Sequence, residues 1–322
     1  MATTTPPQDQ TRPADKRAPG RLGNVIFKGI STTSGVMILV TLAAVAIFLL
    51  YRAWPALVAN ASAFEEVNFI GGNLWEWVAP LIFGTVLASV IALVVAVPLS
   101  IGIALFISHY APRRLAQLLG YMIDLLAAIP SVIVGLWGSS WLMPLLDPVF
   151  TWLTNTLGFI PLFADYTPPA RNITTGGLVL AIMIVPIITA TIREVFLQTP
   201  RLHEEASLAL GSTRWEMIRQ AVLPFGRSGI ISASMLGLGR ALGETMAILL
   251  ILSPGYSINL NLLEAGQHNT IAANIALHFP ESSGIAVDAL IASGLILFAL
   301  TFGVNLLARW IINRRAEFSG AN

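Results

Sequence analysis

The sequence predicts an all-α membrane protein with six transmembrane helices and both termini on the cytoplasmic side. Composition is the first observation. Of 322 residues, 55% are hydrophobic and 11% charged, against roughly 45–50% and about 25% in soluble domains. Mean hydropathy is +0.75. The second observation is that the apolar residues gather in six long runs. The third is that the basic residues fall almost entirely between alternate runs.

A helix crossing the hydrocarbon core needs about 20 mostly apolar residues. The runs lie near 33–51, 80–108, 117–143, 175–197, 227–252 and 284–308. A β-barrel would show short alternating segments, and VLASVIALVVAV at 86–97 does not alternate. Backbone groups in lipid must find partners within their own segment, so these runs are helical.

Orientation follows from Lys and Arg. The N-terminal segment, the 113–114 loop, the segment 193–227 and the C-terminus hold fifteen of the eighteen basic residues. With six spans these four segments share one side, taken as cytoplasmic. The opposite side has only Arg52 and Arg171, and Arg240 falls inside a span. The first run follows some thirty polar residues, so it reads as an uncleaved anchor. The organisation expected is a flexible cytoplasmic tail over 1–30 and a first helix with its outer loop over 31–78. A core over 79–315 and a short tail over 316–322 complete it. Trp75, Trp77, Trp137, Trp141 and Trp152 fall near the outer boundary, as an aromatic belt does.

Composition also excludes several functions. There is no cysteine, so disulfides, thiol nucleophiles and thiolate metal sites are ruled out. The net charge of +1 gives no case for a nucleic-acid partner. His109, His203, His268 and His278 are isolated and suggest no metal site, and no nucleophile–base cluster points to an enzyme. The glycine-rich stretch near 240 lacks the GxxxxGK[ST] pattern, so it is not a nucleotide loop.

Two features remain that carry chemistry. Prolines break the spans at Pro98, Pro130 and Pro186, with Thr85, Ser100 and Ser131 beside these breaks or at small-residue positions. A hydroxyl there can bond its own helix, a neighbour or an oxyanion. In the fifth span, Arg240 at the midpoint and Glu244 four residues on are expected on one helix face as a buried pair. An arginine at the bilayer centre costs about 2.5–3.5 kcal/mol on insertion scales, which makes it a functional-site candidate. Its planar fork of donors suits phosphate-like oxyanions. Asp124 and Asp288 read as rim charges.

The segment 194–227 is too long for a tight turn. HEEASLAL forms one helix, Gly211 breaks it, and Ser212 or Thr213 caps a second helix ended by Pro224. Within it, Glu205-Ala206-Ser207, three residues, Gly211, then Leu223-Pro224 resembles the EAA motif of ABC-importer permeases. Ser207 stands where the motif has its second Ala, and Ala221 where it usually has Ile. The segments 80–113, 125–138, 178–200 and MLGLGRALGETMAI at 235–248 further resemble the phosphate-importer permeases of the PstC type. The likeness covers roughly 79–315.

The resemblance implies a type I ABC-importer permease fold in a bacterial cytoplasmic membrane, with a coupling loop over 198–226. Glu205, Ala206, Ser207, Gly211, Leu223 and Pro224 would meet the ATPase, and Arg240 and Glu244 map onto the Arg and Glu required for phosphate movement. Ser131 and Thr85 are the hydroxyl candidates beside that path. The implied partners are membrane lipid, a PstA-like sister permease, two PstB-like ATPase subunits and a PstS-like extracytoplasmic binding protein. ATP and Mg would belong to the ATPase, with no cofactor on this chain. A same-architecture permease for sulfate or molybdate is the nearest alternative, and a transporter needing no ATPase the next.

Overall fold

The computed structural model describes residues 21–316, with side chains from 23 to 310. It separates into a unit ending at Tyr51 and one beginning at Arg52. The first unit is most of one helix, α1 (Arg21–Val58). Residues 21–30, assigned to a flexible tail from sequence, are therefore helical, while the rest of that tail lies outside the described residues.

The second unit contains the other elements. They are α2 (Leu74–Leu105), α3 (Arg113–Ala127), α4 (Ser131–Trp137), α5 (Met143–Leu157) and α6 (Ile173–Leu197). There follow α7 (Arg201–Ala209), α8 (Arg214–Met217), α9 (Leu223–Leu242), α10 (Met246–Ile251), α11 (Ile271–His278) and α12 (Ile285–Ala316). Three wide, π-type turns extend α2 to Tyr110, join α4 to α5 and join α8 to α9. No strand occurs among the described residues. Six helical stretches are long and apolar enough to cross a membrane: 23–58, 74–110, 131–157, 173–197, 214–242 and 285–310.

Helix α6 is the centre of this unit. Ala88, Ala92 and Ala96 repeat every four residues along α2 and face α6 residues such as Leu180 and Ile184. Small residues at that spacing let two helices approach closely, which drives packing in lipid. On its other side α6 meets α9. A methyl added at Gly226, Gly229 or Gly237 would come within 2.6 Å of Phe196, Val195 and Ile188 respectively. The descending partner numbers show that α6 and α9 run antiparallel. A second core, with Phe64, Trp77, Leu81, Ile271 and Leu290, closes one end, and a third packs α5 and α10 around Val179.

Two expected spans are corrected. The run 117–143 is not one helix, because the chain turns at Ala128–Pro130. Proline disfavours helix in the residue before it, so Pro130 ends α3 and starts α4, and the spanning stretch moves to 131–157. The run 227–252 breaks at Gly243–Thr245, between α9 and α10. Pro98 and Pro186, by contrast, lie inside unbroken helices.

Candidate functional site

The loop between α6 and α9 is built from local rules. Helix α7 ends in a Schellman turn, in which the Ser212 N–H donates to Ser207 O at 3.4 Å and the Gly211 N–H to Leu208 O at 3.0 Å. Gly211 has φ +84°, a backbone state that an L side chain resists. This is why the motif carries glycine there. Thr213 and Glu216 then form a capping box that starts α8.

The expected end of the second helix at Pro224 is corrected. Residues 214–242 form one continuous spanning helix, and Pro224 lies at the start of α9 within it. Proline has no N–H to give to the carbonyl four residues back. The helix widens just before it, and Leu223 N–H reaches back five residues to Ile218 O. The Leu-Pro of the motif thus marks a wide turn between the loop and the helix that carries Arg240.

Ser207, the departure from the motif, is buried in a polar clasp. Its Oγ lies 2.7 Å from Ser212 Oγ and 3.3 Å from Gln220 Oε1, and the Ser212 hydroxyl donates to Ser207 O. Helix α7 is thereby tied to the wide turn. Its opposite face is open, with Glu205 and Ala206 exposed beside Leu202 and Leu208 and with Leu210 90% exposed. Glu204 reaches His109 at the end of α2 at 3.5 Å. Sequence reasoning overlooked this link, because His109 and Glu204 are ninety-five positions apart.

Arg240 and Glu244 do not form the expected pair. Their spacing meets only on a continuous helix, and the backbone leaves the helix at Gly243. Glu244 is buried and accepts the Ala247 N–H at 3.1 Å, holding the first turn of α10. Arg240 has no carboxylate within ion-pair distance among the described residues. It lies on the rim of two cavities. One, of about 400 Å³, is walled mainly by apolar residues of α2, α3 and α6. The other, of about 700 Å³, also exposes Ser232, Asn305 and Arg309. Sequence reasoning passed over Asn305, although a lone amide inside the last apolar run is a signal that could have found this cavity.

The hydroxyl candidates separate. Thr85 is buried, donates to Leu81 O at 2.6 Å and accepts the Ile271 N–H at 3.0 Å. It ties α2 to the start of α11 and borders neither cavity. Ser100 is likewise engaged, with Val185 O at 3.2 Å. Ser131 opens α4 and is half-buried. Asp288 pairs with Arg52 at 3.0 Å.

Beyond α10, a polar layer organises residues 253–283. The Tyr256 hydroxyl donates to Asn274 Oδ1 at 2.7 Å and accepts from His278 Nε2 at 3.1 Å. His268 Nε2 donates to Asn259 O at 2.9 Å, while its Nδ1 is buried without a partner. Burial therefore lowers the His268 pKa, against smaller opposing effects of Asn259 and Glu264. Burial also lowers that of His278 and raises that of Tyr256. In the 158–172 loop, burial first and then Asp147 raise the Tyr166 pKa, whose hydroxyl donates to that carboxylate.

Comparison with known proteins places this architecture. Residues 96–317 match the family of binding-protein-dependent transport system inner membrane components. The phosphate transport system permease protein PstC 2 of Mycobacterium tuberculosis is 46% identical over 302 residues, covering 91% of this chain and 93% of that protein. PstC of Xylella fastidiosa (strain Temecula1) is 36% identical over 327 residues, covering 99% of this chain and 100% of that protein. Among solved structures, a bacterial ABC transporter involved in import of the acidic polysaccharide alginate aligns with a TM-score of 0.54. It has 16% identity and covers 90% of this chain and 98% of that one, which speaks to the fold alone. Six spanning helices, the coupling-type loop and these relatives agree, and the chain belongs to the inner-membrane components of binding-protein-dependent transport systems, within the group of PstC permeases.

Proposed function

We propose that this chain is a transmembrane subunit of an ATP-driven importer of inorganic phosphate. The observation that carries the reading is the likeness to phosphate transport permeases over nine-tenths of the chain or more. Arg240 supports it from the structure, as a guanidinium without a described counter-ion on the rim of two cavities. Such a group can offer a planar pair of donors to a passing phosphate.

In this reading the termini and the α7 loop are cytoplasmic. The exposed face of α7, with Glu205 and Ala206, docks an ATPase subunit. Gly211 sets the elbow, Ser207 holds it, and Leu223-Pro224 passes its movement into α9. A PstA-like sister permease completes the pathway, two PstB-like ATPases bind ATP and Mg, and a PstS-like protein delivers phosphate from outside. Glu244 and Ser131, at two neighbouring helix breaks, border the path that Arg240 serves.

The test is labelled phosphate uptake in cells lacking their own high-affinity importer, with the chain co-expressed with its partners. Wild type should take up phosphate, unaffected by excess sulfate or molybdate. Arg240→Gln should lose uptake at equal membrane abundance. Competition by sulfate or molybdate, or no uptake by an assembled wild-type complex, would overturn the substrate.

A further inference from the structure

The larger cavity beside Arg240 holds a second arginine. Its walls come from α9, with Ser232, Met235, Gly239 and Arg240, and from α12, with Asn305 and Arg309. Neither arginine has an ion-pair partner among the described residues, and neither Ser232 nor Asn305 has a side-chain hydrogen bond there. Two like charges facing one space repel each other, and the repulsion grows as water is displaced. An anion that both can grip removes it. Around about 700 Å³ of open space, two exposed guanidinium forks, a hydroxyl and an amide share the wall with Ile187, Met235 and Leu236. A tetrahedral oxyanion with several acceptor oxygens fits that wall.

The two arginines also differ in depth. Arg309 lies 24 residues along α12, about 36 Å at 1.5 Å per residue. The hydrocarbon core is only about 30 Å thick. Arg240 lies 17 residues along α9, about 26 Å at the same rise, and at the midpoint of the apolar run 227–252. The cavity therefore joins an arginine at the middle of one apolar run to one beyond the length of α12 that the hydrocarbon core would cover.

We infer that Arg309, with Asn305 and Ser232, forms a second phosphate-oxyanion station in the cavity of Arg240, at its aqueous end. The inference rests on the transport reading above. The same chemistry is met by inorganic phosphate leaving the pathway and by the phosphodiester of an anionic lipid.

The test uses the complete importer with its binding protein, reconstituted in vesicles of zwitterionic lipid alone and of zwitterionic plus anionic lipid. Losing a charge-assisted contact on the exit path should lower the maximal uptake rate of Arg309→Gln about tenfold. The half-saturating phosphate concentration and the binding-protein-stimulated ATPase should stay as in wild type. Arg309→Lys, which keeps the charge but not the fork, should fall between. A loss of rate in both vesicle types identifies inorganic phosphate as the occupant. Anionic phospholipid that co-purifies with wild type and is lost in Arg309→Gln, with rates equal in zwitterionic vesicles, identifies the lipid. Wild-type uptake and wild-type bound lipid in Arg309→Gln would overturn the station, as would failure of the complex to assemble. Arg240→Gln, run alongside, separates the two readings, since its retention of full uptake would sink the transport site itself.

Discussion

A methyl group on Gly135 would lie 2.8 Å from Ala247 Cα, so α4 and α10 approach backbone to backbone with no room between. Three residues on, a methyl on Gly138 would come as close to Val179 and within 3.2 Å of Ile251. Partner numbers that rise together mean that the two short helices run parallel. Their starting points, at Pro130 and at Gly243–Thr245, are therefore neighbours. A valine at 135 should force them apart, and overpacking of this kind typically costs about 1–3 kcal/mol. Thermal unfolding of the purified subunit complex should show a lowered midpoint for Gly135→Val, and phosphate uptake should fall more than membrane abundance does. An unchanged midpoint would show that the contact yields easily.

Charge exchange between Arg240 and Glu244 tests the separation of their roles. A mutual ion pair would survive the swap. Here Glu244 instead accepts the Ala247 N–H, and an arginine cannot. Arg240→Glu/Glu244→Arg should stay inactive in labelled phosphate uptake. Glu244→Gln keeps a carbonyl acceptor for that N–H, and should retain the fold as judged by assembly with the sister subunit.

Ser207→Ala restores the residue that the EAA pattern carries and removes a buried hydroxyl from the Ser212–Gln220 clasp. A neutral side-chain hydrogen bond contributes about 0.5–1.5 kcal/mol. The variant should assemble and hydrolyse ATP, but with more ATP consumed per phosphate imported. That ratio, in proteoliposomes, is the measurement. A ratio equal to wild type would leave the clasp a packing detail.

Thr85→Val is nearly isosteric, and strands the Ile271 N–H in a buried place. An unsatisfied buried donor costs about 1–3 kcal/mol. Unfolding should occur at lower temperature, while Thr85→Ser should stay near wild type. Equal midpoints for Val and Thr would assign the N–H another acceptor.

Acid should loosen the 253–283 segment. Its two histidines have pKa values lowered by burial, so the unfolded chain binds protons more readily than the folded one. Stability is then full above the ordinary histidine value of about 6.5 and declines as pH falls below it. Protonating His268 would place a proton on Nδ1, where no acceptor lies within reach. Thermal midpoints taken from pH 7.5 down to 5 should fall, and His268→Gln should flatten the decline. A flat wild-type profile would remove both histidines from the account.

The spans were legible because length and hydropathy are local and cumulative. Their interruptions were not. Ala127–Ile129 is as apolar as the helices around it, and the apolar run resumes at Met246–Ile251 directly after Gly243–Thr245, so the runs read straight through two backbone turns. The pairing of Arg240 with Glu244 failed for that reason alone. The EAA loop was readable because Gly211 and Pro224 each impose a backbone geometry that other residues resist. The Thr85–Ile271 and Arg240–Arg309 relations were hidden by separation, since nothing near either residue refers to the other.

The wide turn at 218–222 gives the helix from the coupling loop to Arg240 the character of a gear. It holds one residue more than a regular turn, in a shape found frequently at functional sites. Absorbing that residue into α-helix would advance the downstream helix by about 1.5 Å and rotate it by roughly 100°. A small axial pull at α7 would then emerge as a large swing of the Arg240 side chain. That side chain already borders both cavities, and turning the helix would change how it faces each.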